Sequence, residues 1–225
     1  MLKLILNPLT AGIISVISLL VFKGIEYVFY PDDPLFFYEA NHGLEYITYG
    51  LYAVAGLTAV SFWRDFIKTD KQSTWIVLMG LWLAAFLREM GIQHWLTRHD
   101  TTAIKLRFFT NPNNPLHEKI ISCVLVLAVL GMAGWLLIKY FKQMIRGFFH
   151  LSPLYWSIAT FGGMGLISQI CDRFPSNYFK ATGLRLDSDT TIWLKLFEEG
   201  GEACLPIIFA LAFIQYHQMK RCRPN

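Results

Sequence analysis

Six long apolar stretches separated by polar segments dominate the hydrophobic pattern of this chain. Their limits lie at about 8–30, 45–67, 74–96, 118–141, 153–174 and 191–217. Each has about the 20 residues that an α-helix needs to cross the hydrocarbon core of a bilayer. The pattern predicts an all-α protein, a polytopic integral membrane bundle of six transmembrane helices, with residues 1–225 forming a single helical-bundle domain. Gly162, Gly163 and Gly165 inside the fifth stretch suit close helix contact in lipid. Trp63, Tyr140, Trp156 and Tyr216 fall near predicted helix ends, where aromatic belts form. The first stretch starts like a signal peptide. It is long for one, and no small-residue cleavage site follows it, so an uncleaved first span is expected.

Composition agrees with this class. The chain is 54% hydrophobic and 16% charged, whereas a soluble domain carries roughly 25% charged residues. The net charge of +4 is split by side. One set of connections and termini holds Lys3, Arg64, Lys68, Lys71, Lys139, Lys142, Arg146, Lys220, Arg221 and Arg223, with Asp65 and Asp70 as its acids. The excess of Lys and Arg marks that side as cytoplasmic. The expected location is the cell inner (plasma) membrane, multi-pass, with both termini inside (N-in/C-in). Membrane lipids are the expected partners. There is no basic arm and no nucleic-acid motif, which argues against nucleic acid. Cys123, Cys171, Cys204 and Cys222 form no CxxC pair and read as small buried hydrophobes. The three outer connections read as longer than the two cytoplasmic ones, so function is expected on that side.

The acids concentrate toward the outer side. An ionised carboxylate at membrane depth costs on the order of 3 kcal/mol unless it is paired or hydrated. The third stretch carries Arg88 and Glu89, followed by Gln93 and His94. The fifth ends with Ser168, Asp172 and Arg173, and the first carries Lys23 and Glu26. In the sixth, Glu198 and Glu202 are four apart and share a face, with Lys195 and Glu199 beside them and Gly200 and Gly201 in another sector. Pro206 cannot donate to the carbonyl of Glu202. Carboxylates on one arc repel each other and call for cations, shared protons or a metal. Threading these stretches through one bilayer gathers Glu26, Arg88, Glu89, His94, Asp172, Arg173, Glu198, Glu199 and Glu202 around a cavity open to the outside. The plainer alternative is a set of buried ion pairs that hold helices in register.

Two carboxylates in different surroundings can act as general acid and base. Glu89, Asp172, Glu198 and Glu202 are the candidate catalytic residues. Arg88, Lys105, Arg107 and Arg173 are candidates for holding an anionic headgroup. Lys105 and Arg107 precede Phe108 and Phe109, so cations meet lipid phosphates where rings enter the acyl layer. His94, Asp172 and Glu202 would suffice as ligands for a divalent metal such as zinc. No HxxxH, HExxH or paired Glu-x-x-His motif supports that set, and the scattered histidines do not favour haem. The expected function is a hydrolase or transferase acting on a lipid or lipid-linked substrate at the outer leaflet. The alternative is a small transport, sensory or assembly protein whose charge cluster serves proton relay or helix packing.

Overall fold

The computed structural model describes residues 2–39, 43–68, 71–91, 106–111 and 114–221. All regular structure among them is helical. In chain order the helices are α1 (Leu2–Ile5), α2 (Thr10–Phe29), α3 (Pro34–Tyr38), α4 (Gly43–Ser61), α5 (Trp63–Ile67), α6 (Gln72–Glu89), α7 (Leu106–Thr110), α8 (Leu116–Phe149), α9 (Pro153–Thr182) and α10 (Ser188–Arg221). The six long ones occupy the six apolar stretches. The chain divides into two compact units, Met1–Phe62 with Met144–Asn225, and Trp63–Gln143.

In the first unit α10 is the central helix and packs on α9, α4 and α2. Its buried face supplies Leu196, Ala203, Cys204, Ile208 and Leu211, which meet Ala11 and Phe22 of α2, Leu44 of α4, Met164 of α9, and Phe37 and Tyr38 of α3. Small residues set the approach. A Cβ added to Gly200 would stand 2.9 Å from Leu19 Cδ2, and one on Gly201 would stand 3.5 Å from Ser168 Cβ. Gly162, Gly163 and Gly165 face open space instead. The close-contact role expected of them belongs to the glycines of α10. Buried polar bonds tie the same helices. Ser157 Oγ donates to Gln215 Oε1 at 2.7 Å, and Gln215 Nε2 donates to the Ile5 carbonyl at 3.0 Å. Cys171 and Cys204 are buried as expected, whereas Cys123 is exposed; Cys222 lies outside the described residues.

Local chemistry explains the helix ends. Ser152 and then Pro153 open α9, where a missing N–H has no cost. Gly183 closes it in the left-handed region at φ 72°, its N–H reaching the Phe179 carbonyl at 2.8 Å. Asp187 begins α10 by accepting the Thr190 N–H at 2.9 Å. That bond holds the Asp187 carboxyl below the usual carboxylate range. Two expectations fail here. The fifth helix does not end with its apolar stretch near 174, because α9 runs through Pro175 to Thr182. Pro175 forfeits one bond to the Cys171 carbonyl, and the Phe174–Tyr178 stack at 6.2 Å continues across it. The last outer connection is therefore the short segment 183–187, not a long loop. Pro206 likewise leaves α10 unbroken.

The second unit contains α5, α6, α7 and the greater part of α8. Thr74 Oγ1 and the Tyr140 hydroxyl lie 2.7 Å apart, and Lys139 Nζ donates to Thr74 at 3.2 Å. These bonds join the start of α6 to α8. Further along, Gly80 lies against Met132 Sδ. Thr10–Phe29 and Leu116–Phe149 are long and apolar enough to cross a membrane, with mean hydropathies of 1.8 and 2.6. In α6, the polar Gln72–Thr74 and Arg88–Glu89 ends lower the average. In α10, the charges described below do so.

The turn between α8 and α9 gives a direct stability test. Leu151 takes φ 53°, Trp156 stacks on Phe148 at 4.7 Å, and a methyl on Gly147 would run into the Tyr155 ring. Gly147→Ala should therefore lower thermal stability by about 1–3 kcal/mol. Gly162→Ala, with nothing nearby, should leave the midpoint equal or higher, since alanine is the better helix former. Equal midpoints for wild type and Gly147→Ala would contradict the turn.

Candidate functional site

The acids of α10 lie on the flank next to the one that carries its glycines. Lys195 Nζ donates to Glu198 Oε1 at 2.9 Å and lies 3.7 Å from Glu199 Oε1. These are the three- and four-residue neighbours that one helix face brings together. Glu202, one turn on, accepts the Ser168 hydroxyl of α9 at 3.1 Å. Asp172, a turn beyond Ser168, acts electrostatically on Lys195 and Glu198. Glu45 of α4 acts on Glu199 and itself accepts the Tyr49 hydroxyl. Five carboxylates therefore share one field that includes the Lys195 ammonium.

This group opens to the surface. Asp172 is exposed, and Lys195, Glu198, Glu199 and Glu202 are half-buried. Ser168 is buried beneath Glu202. The Glu202–Ser168 bond resembles a base addressing a hydroxyl, but a serine this covered serves first as a helix tie.

Glu26 is a different kind of carboxylate. It is buried on α2, with Lys23 Nζ at 2.7 and 2.8 Å from its two oxygens and the Tyr38 hydroxyl donating at 2.7 Å. Lys23 also stands 5.1 Å from the Trp193 ring centroid on α10, a cation–π distance. Here one carboxylate has a full set of donors, and α3 is latched onto α2 by it. Tyr38 as a partner of Glu26, and Trp193 as a partner of Lys23, were not legible, because each comes from another helix.

The other expected site residues fall elsewhere. Arg88 and Glu89 end α6 in the second unit and approach each other at 4.0 Å, with Arg88 exposed and Glu89 half-buried. His94 and Lys105 lie outside the described residues, as does the side chain of Arg107 at the start of α7. Arg173 does not join the acids. It lies about 140° round α9 from Ser168, on the opposite flank. There it lines an open groove of about 360 Å³ with Leu166, Gln169, Ile170, Phe174 and Asn177. This groove is thus lined by none of the carboxylates. Among the described residues, no three His, Cys, Asp or Glu side chains come together as a metal-holding group. Of the expected zinc set, Asp172 and Glu202 share a flank, and His94 is undescribed. Sequence reasoning missed Glu45. Its only local signal was Tyr49, four residues on and on the same helix face.

The latch is testable through pH. Burial and then the Glu26 carboxylate push the Tyr38 phenol above its ordinary value of 10.0. A group whose folded value is raised contributes stability that is present below its unfolded value, about 10, and is lost as pH climbs above it. Tyr38→Phe should cost about 1.5–3 kcal/mol at neutral pH, as loss of a bond to a charged group does, and should flatten the alkaline fall in melting temperature. A neutral-pH midpoint equal to wild type would contradict the latch.

No protein-family model matches the chain, nor does any curated protein or solved structure.

Proposed function

We propose that this chain is a multi-pass inner-membrane protein with both termini in the cytoplasm. On this reading it is a hydrolase or transferase that uses the α10 carboxylates on a lipid or lipid-linked substrate at the outer leaflet. The membrane part rests on the outer surfaces of the helices. On α8, Ile120, Val124, Leu127, Leu130, Ile138 and Phe141 are exposed, and on α2 so are Ile13, Val16, Leu20 and Val28. Apolar surface of this extent fits lipid better than water. The direction rests on the Lys and Arg excess at Lys68, Lys71, Lys142, Arg146 and Lys220.

The single observation that carries the enzymatic reading is the gathering of carboxylates from three helices. Glu45, Asp172, Glu198, Glu199 and Glu202 stand within one another's field and that of Lys195, beside apolar helices. Carboxylates gathered in this way favour taking up protons or cations. Glu198, half-buried and held by Lys195, and Glu202, facing Ser168, sit in different surroundings, and such differences separate an acid from a base. In this assignment Asp172 and Glu199 shape the field, and Glu89 has no placement relative to the group. A second reading, a small transport, sensory or assembly protein, is favoured by the α9–α10 bonds Ser168–Glu202 and Ser157–Gln215, which serve packing equally well.

Two experiments decide these points. Reporter fusions after Lys71, Arg146 and Asn225 should report cytoplasm, and fusions near Asp33, Asn113 and Asp187 should report the outside. A cytoplasmic signal at Asp187 would overturn the orientation. Glu202→Gln keeps an acceptor for Ser168 and removes one of the crowded charges. Its melting temperature should equal or exceed that of wild type, while turnover of lipids in reconstituted vesicles, read by mass spectrometry, is lost. A lower melting temperature with turnover intact would leave a structural ion-pair network. Proton uptake by liposomes with no lipid turnover would favour the transport reading.

A further inference from the structure

The helix α9 separates its charges by flank. Its one acid, Asp172, lies about 40° from Ser168 and faces the acidic group, whereas Gln169, Arg173, Asn177 and Lys180 run along the neighbouring face, about 60–140° round from Asp172. Successive members of that ladder are three or four residues apart, so they stack one turn above another. A second ladder, Leu166, Ile170 and Phe174, runs beside it, with Leu166 and Ile170 67% and 64% exposed. Gln169, Arg173 and Asn177 of the first ladder and all three members of the second line the open groove, and Lys180 lies one turn beyond it. Among the described residues neither Arg173 nor Lys180 has an ion-pair partner.

Depth gives the groove a polarity. From Pro153 to Arg173 is about 30 Å along a helix, the thickness of a hydrocarbon core. If Pro153 enters at the cytoplasmic face, Arg173 arrives at the outer headgroup level, with Lys180 beyond it and Leu166 and Ile170 within the acyl layer. A guanidinium at that level needs an anion. Its planar fork matches two phosphate oxygens, and the Gln169 and Asn177 amides add donors on either side. The apolar ladder begins where an acyl chain would begin. A free phosphate would use the cations and leave the apolar ladder unexplained.

We propose that this groove is a phospholipid site: Arg173 holds the phosphate, Lys180 and the two amides support it, and an acyl chain lies along Leu166 and Ile170. It is separate from the carboxylates and depends on the membrane orientation proposed above, but not on any enzymatic activity.

The test is native mass spectrometry of the full-length chain in detergent, after delipidation. The probes are phosphatidylglycerol, phosphatidylcholine, a diacylglycerol of the same acyl chains, and inorganic phosphate. Both phospholipids should bind, and the diacylglycerol should bind at least about tenfold more weakly, which corresponds to one charged hydrogen bond. Arg173→Gln should weaken phospholipid binding by about tenfold, Arg173→Lys less, and Arg185→Gln, in the segment after α9, not at all. Circular dichroism establishes that each variant keeps its helix content. Equal binding of diacylglycerol and phosphatidylglycerol would overturn the site. So would phospholipid binding unchanged in folded Arg173→Gln, or inorganic phosphate displacing lipid at equal affinity. A dimer that Arg173→Gln dissociates would assign the face to a second copy and also overturn it. Failure of the membrane reading has a separate signature: the chain would remain monomeric in buffer without detergent.

Discussion

Gly200 and Gly201 govern how near α10 comes to its two neighbours. Adjacent residues on a helix point about 100° apart, so one glycine pair serves two contacts, Gly200 toward Leu19 of α2 and Gly201 toward Ser168 and Met164 of α9. The same turns carry Glu198, Glu199 and Glu202. Rotating α10 to move these acids would drive side chains into α2 or α9. Packing therefore fixes the sector in which the carboxylates stand, and their mutual repulsion cannot be relieved by turning the helix.

The first unit holds two kinds of carboxylate. Glu26 is buried, and every donor it needs is at hand in Lys23 and Tyr38. Its removal bears on stability. The group around Lys195 is half-exposed and draws its carboxylates from α4, α9 and α10, where water, protons or a cation can reach them. That asymmetry, more than the mere presence of acids near apolar helices, separates a latch from a place where chemistry can occur. Helix α9 extends the contrast, with its acid turned toward the carboxylates and its cations turned away.

The helices were legible because apolar period and length reach every long element. Their ends were less so. Pro175 stands just past the expected end of the fifth stretch, yet it sits inside α9, since a proline removes only one bond and its neighbours Phe174 and Tyr178 pack past it. The glycines most visible in the sequence, Gly162, Gly163 and Gly165, face open space, while the pair in α10 does the packing, a distinction that depends on which face meets a neighbour. Glu198, Glu199, Glu202 and Lys195 were placed together by helical spacing alone. Arg173 was assigned to them by adjacency to Asp172, but one residue of separation turns a side chain by about 100° and put it on the other flank. Glu45, Tyr38 and Trp193 come from other segments, and no local pattern announces such partners.

The central claim is that apolar helix faces meet lipid while the α10 carboxylates meet water on the outer side. Nitroxide labels placed singly at Leu127, Ile138, Glu198 and Glu199 in vesicle-reconstituted protein test it directly, through collisions with oxygen and with a polar nickel chelate added outside. The account predicts labels at Leu127 and Ile138 that oxygen relaxes and the chelate does not, and labels at Glu198 and Glu199 that the external chelate reaches. Chelate access to Leu127 and Ile138, or none to Glu198 and Glu199, would contradict it.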